Sequence, residues 1–176
     1  MIRGLAVAVL LSLAMLGQSA SLPQVHRFEL ADCDDVAFGP DGDLYFACHS
    51  SHDHLPIEVR GAKSTADEMD AYVFRFSPRT GALVFATRLG GKSYDGAWQV
   101  SLDQRGHAYT TGETRSADFP TTPDALQRNL RGKSDAFLVE LGPSGEVVYS
   151  TLIGGSGDEL GHGLDIDNAG AVTWET

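Results

Sequence analysis

Apolar side chains recur at every second position in short runs along most of this chain. Val36, Phe38, Leu44 and Phe46 alternate with small or polar residues on either side of Gly39-Pro-Asp-Gly42. Tyr72, Phe74 and Phe76 repeat the pattern, Pro78 to Gly81 turns the chain, and Leu83 to Leu89 continues extended. Phe137, Val139 and Leu141 are followed in the same way by Val147, Tyr149 and Thr151. Successive side chains of a strand point to opposite faces, so this period marks ribbons with one face turned to a core. Aromatic and β-branched residues within the runs, and Gly and Pro between them, predict antiparallel hairpins with little helix.

The runs belong to a longer period. Val36-Ala-Phe-Gly-Pro-Asp-Gly42, Val100-Ser-Leu-Asp-Gln-Arg-Gly106 and Leu164-Asp-Ile-Asp-Asn-Ala-Gly170 place their turn glycines 64 residues apart. The stretch from Asp70 to Gly91 matches that from Asp135 to Gly155, with one residue deleted in the turn. Two motifs on one period predict repeated units of four strands, the content of a propeller blade. A single four-stranded unit cannot bury both its faces, so each unit needs a neighbour.

Ser116-Ala-Asp-Phe-Pro-Thr-Thr-Pro-Asp-Ala-Leu-Gln127, Ser134-Asp-Ala-Phe-Leu-Val-Glu-Leu and Tyr149-Ser-Thr-Leu-Ile-Gly-Gly-Ser-Gly-Asp158 carry a resemblance. Together they resemble the seven-bladed β-propeller repeat (SBBP repeat) family of exported bacterial proteins. The middle unit matches nearly throughout; the first departs between Ala47 and Met69, where Asp-Phe-Pro-Thr-Thr is absent. The resemblance implies an extracellular or cell-surface propeller and no catalytic residues, because the shared pattern is structural. The expected division is a signal peptide at 1–20, an N-terminal strand or linker at 21–31, blade 1 at 32–93, blade 2 at 94–158 and a partial blade 3 at 159–176. Long loops are expected near 49–69 and 113–134. Two blades and part of a third form an incomplete ring, since propellers close with about four to eight blades. The expectation is therefore a fragment of a longer protein, completed by blades from elsewhere in it or by oligomerisation.

The first residues read as an address. Met1-Ile-Arg3 is a short basic start, Leu5 to Leu16 is apolar, and Gly17-Gln-Ser19-Ala20 supplies small residues for cleavage. This is a secretory pattern, and the apolar run is too short for a stable membrane span. The expected location is secreted, periplasmic or cell surface. With 13 basic and 24 acidic side chains the chain carries a formal charge of −11, which opposes binding to nucleic acid.

Candidate chemistry is sparse. Gly91-Lys92-Ser93 and Gly132-Lys133-Ser134 look like the end of a phosphate loop, but Ala86 and Gln127 stand where its first glycine belongs. Gly155-Ser156-Gly157 lacks the strand–elbow–helix setting of a nucleophilic serine. His49, His52, Asp53 and His54 form the densest cluster, and imidazoles brought together by a loop could hold a transition metal. Their spacing is not a strong zinc signature, and a solvated loop is the competing reading. Acidic residues near turns (Asp32, Asp34, Asp35, Asp158, Glu159, Asp165 and Asp167) suit either a weak calcium site or a solubilising surface. Asp70 and Asp135 open equivalent strands, a place for turn or packing hydrogen bonds more than for acid catalysis.

The two cysteines, Cys33 and Cys48, flank the Gly39–Gly42 turn symmetrically. If position 39 faces 42, then 36 faces 45 and 33 faces 48, within reach of a disulfide. An exported chain meets the oxidising conditions that form one. The functional expectation is a non-enzymatic binding or spacer module with no cofactor and a protein or carbohydrate ligand. The competing readings are a propeller enzyme of lyase or glycosidase type, with its site near the central channel, and a calcium-stabilised structural repeat.

Overall fold

The computed structural model describes residues 31–51, 59–61, 68–167 and 171–175. The expected signal peptide, His52, Asp53, His54 and the turn glycine Gly170 lie outside the described residues. The described elements are β-strands: β1 (Asp32–Phe38), β2 (Leu44–Ser50), β3 (Val59–Arg60), β4 (Asp70–Ser77), β5 (Ala82–Leu89), β6 (Asp95–Leu102), β7 (Ala108–Thr114), β8 (Asp135–Leu141), β9 (Val147–Ile153), β10 (Gly163–Ile166) and β11 (Val172–Glu175). They form a five-stranded sheet in the order β1-β2-β4-β5-β3, a four-stranded sheet β6-β7-β8-β9 and the hairpin β10-β11. The fold is all-β, and every pairing between these strands but one is antiparallel.

That exception corrects the expectation of four strands in the first unit. Val59 and Arg60 pair in parallel with Ala86 and Thr87 of β5. Without them β5 would present an open edge of unpaired backbone groups. The second sheet covers the matching edge differently. The Asp118-Phe-Pro-Thr-Thr segment and the residues after it lie along β9, with Thr122 N donating to Ser150 O (3.0 Å) and Leu152 N donating to Gln127 O (3.0 Å). Phe119 from this segment is buried and stacks on Phe137, ring centroids 4.9 Å apart.

The inner hairpins share one turn. Gly39 N donates to Asp43 O (2.8 Å) and Gly42 N to Gly39 O (2.9 Å); Asp103 and His107, with Gly106, repeat this in the second sheet. Gly42 and Gly106 sit at φ 84° and 83°, where a side chain is strained. A three-residue loop of this kind ends on a left-handed glycine. It is one residue longer than the sequence count allowed, so Val36 faces Phe46 and not Tyr45. A β-bulge at Asp34 then restores the count, and Cys33 faces Cys48 after all. The expected disulfide is present, linking Cys33 to Cys48 across β1 and β2.

The three inner hairpins keep one register through the 64-residue period: Val36 faces Phe46, Val100 faces Thr110, and Leu164 faces Trp174. The irregularities keep it too. Asp34 and Trp98 are the bulged residues of β1 and β6, and Val84 and Val148 those of β5 and β9.

The sheets stack face to face. Tyr45, Ala47, Ala71, Val73, Phe85 and Leu89 of the first sheet share one core with residues of the second, among them Val100, Phe137, Val139, Leu141 and Leu152. Hydrogen bonds cross the junction beside this core. Asp35 Oδ2 accepts from Val100 N (3.0 Å), and its counterpart Gln99 Oε1 accepts from Leu164 N (2.8 Å). Arg75 Nη1 donates to Pro143 O (2.8 Å), and Thr87 Oγ1 donates to Gly145 O (2.6 Å). A second cluster of Cys48, Tyr72, Phe74 and Ala86 lies on the opposite face of the first sheet.

Candidate functional site

The 64-residue period sorts the polar residues into those that recur between units and those that do not. Recurring side chains hold backbone. Asp135 accepts from Arg131 N (3.0 Å), Gly132 N (3.1 Å) and Gln127 Nε2 (2.5 Å). Its counterpart Asp70 is buried, with Arg88 Nε 3.5 Å from its carboxylate. Gly90 and Gly154 occupy one place in the two units, and a Cβ on either would strike a carboxylate, Asp70 and Asp95 in the first case and Asp135 and Glu159 in the second. Only glycine fits between the paired acids.

The phosphate-loop lookalikes fall in this framework. Gly91 N donates to Asp95 Oδ2 (2.8 Å), Lys92 N to Asp118 Oδ1 (3.0 Å) and Ser93 N to Ser116 Oγ (2.9 Å). Gly132 N is taken by Asp135. These amides already bind acceptors of the chain itself, two of the three in the first loop being carboxylates. Burial pushes Asp95 up to about 6, against opposing hydrogen bonds from Thr114, Gly91 N and Ser116. Asp103 lies below its ordinary value: burial raises it, but hydrogen bonds from His107 N and from Arg105 outweigh that.

One group of residues that do not recur gathers beside the bulges. A bulge re-aims its side chain. In the first unit this swings Asp34 to His49, whose Nδ1 lies 3.1 Å from Asp34 Oδ2. In the second it places Trp98 edge-to-face against the same His49, centroids 5.3 Å apart. Trp98 also meets Tyr94 at 6.5 Å and His162 at 6.4 Å. The guanidinium of Arg115 lies 5.1 Å over the Tyr94 ring, and its Nε donates to Glu113 Oε1 (2.8 Å). Burial raises Tyr94, Glu113 adds to the rise, and Arg115 opposes it. The hydrogen bond that Arg115 donates to Glu113 raises Arg115.

A cleft of about 420 Å³ opens beside this group, lined by Glu113, Arg115, Lys133, Ser134, Asp158 and Leu160. Stepping back one unit, the counterparts of Trp98, Glu113, Arg115 and Lys133 are Asp34, His49, Ser51 and Glu68. None has the same chemistry, so among the described residues this set of side chains has no counterpart in the first unit.

Of the residues singled out as metal ligands, the structure places His49 in β2, against Asp34 and Trp98. His52, Asp53 and His54 lie outside the described residues. Among the described residues, no group of three or more His, Cys, Asp or Glu is placed to hold a metal ion. Inspection of the sequence alone missed Tyr94, Trp98, Glu113, Arg115 and His162. Their signal was present as departures from the first unit, which has Asp34 where Trp98 stands, His49 where Glu113 stands and Ser51 where Arg115 stands. The chain matches no protein-family model and no curated protein.

Proposed function

We propose that this chain is an exported, non-enzymatic β-propeller-type module of SBBP-repeat character that works by binding. The blades run over 32–93 and 94–158, with part of a third over 159–176. The shared register of the three inner hairpins and the repeated junction hydrogen bond from Asp35 and Gln99 support a row of equivalent blades. The disulfide suits an oxidising compartment outside the cytoplasm.

One observation carries the binding role. Asp70 and Asp135, Gly90 and Gly154, and the acids Asp95 and Glu159 recur between units, whereas the aromatic and charged group beside the Glu113–Leu160 cleft does not. Arg115, held by Glu113 and Tyr94 yet 55% exposed, presents a fixed guanidinium edge on the cleft wall, the form a binding site takes. The acids that could suggest catalysis serve the backbone instead. Asp95 is fully buried and accepts from Gly91 N and Ser116 Oγ, and Asp135 accepts from two amides and Gln127.

The test is an immobilised panel of oligosaccharides and peptides, probed with the purified chain and with Trp98→Ala and Arg115→Ala. Saturable binding that both substitutions weaken, with the probe recovered at unchanged mass, supports the reading. Cleavage of a bound probe, or the absence of any binding sensitive to these substitutions, contradicts it.

A further inference from the structure

We infer that the cleft beside Arg115 takes a short acidic oligosaccharide, its carboxylate on Arg115 and Lys133 and its ring hydroxyls on Asp158; this rests on the binding role proposed above. The argument begins with Arg115. Its side chain is 55% exposed, yet it is fixed in place: Nε is bound to Glu113 and the face of the guanidinium lies on Tyr94. Glu113 is itself buried, 5% exposed, so it is a rigid anchor. Among the described residues, the Nη edge of Arg115 carries no hydrogen-bond partner. A guanidinium held by its Nε and its face presents that edge ready-made to a planar carboxylate.

Lys133 adds a second cation to the cleft wall, and its side chain is exposed. With Glu113 already bound to Nε and Asp158 acting on Arg115 only through its charge, the unpartnered Nη edge and Lys133 are the places in the lining that take an anion. The rest of the lining selects what surrounds it. Asp158 is an exposed carboxylate, an acceptor for hydroxyls. Leu160, 38% exposed, offers an apolar patch to the C–H face of a sugar ring. Carboxylate, hydroxyls and an apolar C–H face occur together in a uronic acid. An acidic peptide supplies the carboxylate but lacks the hydroxyls that match Asp158.

Electrostatics at longer range sets the length. The chain carries −11, so a long polyanion is repelled over most of its path. A short uronide meets the local cations within a Debye length of about 8–10 Å at ordinary salt and escapes most of that repulsion. The equivalent place in the first unit has His49, Ser51 and Glu68, and Glu68 in place of Lys133 removes the second cation. The chain is thus expected to bind one such ligand at this cleft and none at the corresponding position.

The experiment is isothermal titration of the purified chain with trigalacturonate, with neutral cellotriose and with triglutamate. Trigalacturonate is expected to saturate at a one-to-one ratio, more tightly than either comparison, and to weaken as salt is raised. Arg115→Gln and Lys133→Gln should each weaken it about tenfold, the loss of a charge-assisted contact; Lys133→Gln should leave thermal unfolding unchanged, whereas Arg115→Gln, which takes the partner of the buried Glu113, should lower it. Failure of trigalacturonate to saturate, or an affinity unchanged in both variants, would overturn the inference. Tighter binding of triglutamate assigns the cleft to a protein ligand, and tighter binding of cellotriose to a neutral glycan. Either defeats the acidic-sugar inference while leaving the binding role intact; that role fails only on the panel described above.

Discussion

The first and second sheets present the same face with opposite fates. Val100 is 3% exposed and Leu102 packs against the shared core. Their counterparts 64 residues earlier, Val36 and Phe38, are 40% and 73% exposed. Sequence and register are equivalent, so the difference comes from the neighbour. Val100 has the first sheet beneath it and Asp35 on its amide; Val36 has no such hydrogen bond among the described residues. A third face completes the comparison. The strand positions that carry Tyr45 and Ala47 toward the second sheet hold Thr173 and Glu175 in the β10–β11 hairpin, both exposed. The repeat dictates strand, turn and register. Whether an apolar position is buried depends on what stacks on it.

Several substitutions break or sharpen that contrast. The largest effect belongs to the shared core. Phe137 is fully buried and stacked on Phe119, and Phe137→Ala should cost about 3–5 kcal/mol in urea unfolding. Removing the staple of the first hairpin with Cys33→Ala and Cys48→Ala should cost about 3 kcal/mol, measured the same way. The second hairpin has Ala97 and Gly112 at those positions, and a Cβ on Gly112 would strike the Gly96 carbonyl. A transplanted Cys pair there should therefore destabilise and not stabilise.

Next comes pH. Asp95 lies near 6 in the folded chain against an unfolded value of 3.8, so the folded state holds the proton more tightly. That contribution is complete below 3.8 and is lost as pH rises through 6. Unfolding free energy from this group should fall by about 2 kcal/mol between these limits, and Asp95→Asn should flatten the decline. A stability profile with the same slope in the variant would assign the dependence to other groups. The smallest effects give the most direct comparison. Val100→Ala should cost about 1–2 kcal/mol and Val36→Ala less than about 0.5. Equal costs would mean that Val36 has a covering neighbour in solution.

Much of this was legible in the chain. Alternation at Tyr72–Phe76 and Phe137–Leu141 marked strands because one face of each lies on a core. The turn glycines at 42 and 106 marked hairpins because their φ is positive. The cysteine pairing was found through two errors that cancel, a turn one residue longer than counted and a bulge at Asp34. Bulges leave no signature in period-two patterning, since Asp34 and Trp98 are ordinary residues in extended runs. The two-residue β3 is too short for any pattern to register. The candidate site was hidden for a different reason. Tyr94, Trp98, Glu113 and Arg115 converge through the pairing of β6 with β7 and meet His49 and His162 across neighbouring units, and the histidine run that drew attention contributes only His49 among the described residues.

The most direct test of a recurring framework with one non-recurring site is amide chemical-shift mapping during titration with trigalacturonate. Changes confined to residues 94–98, 113–115, 132–134 and 158–160, with residues 68–70 and the exposed Val36–Phe38 strand unmoved, are the predicted result. Changes spread over the equivalent positions of both units, or centred on Val36 and Phe38, would contradict it.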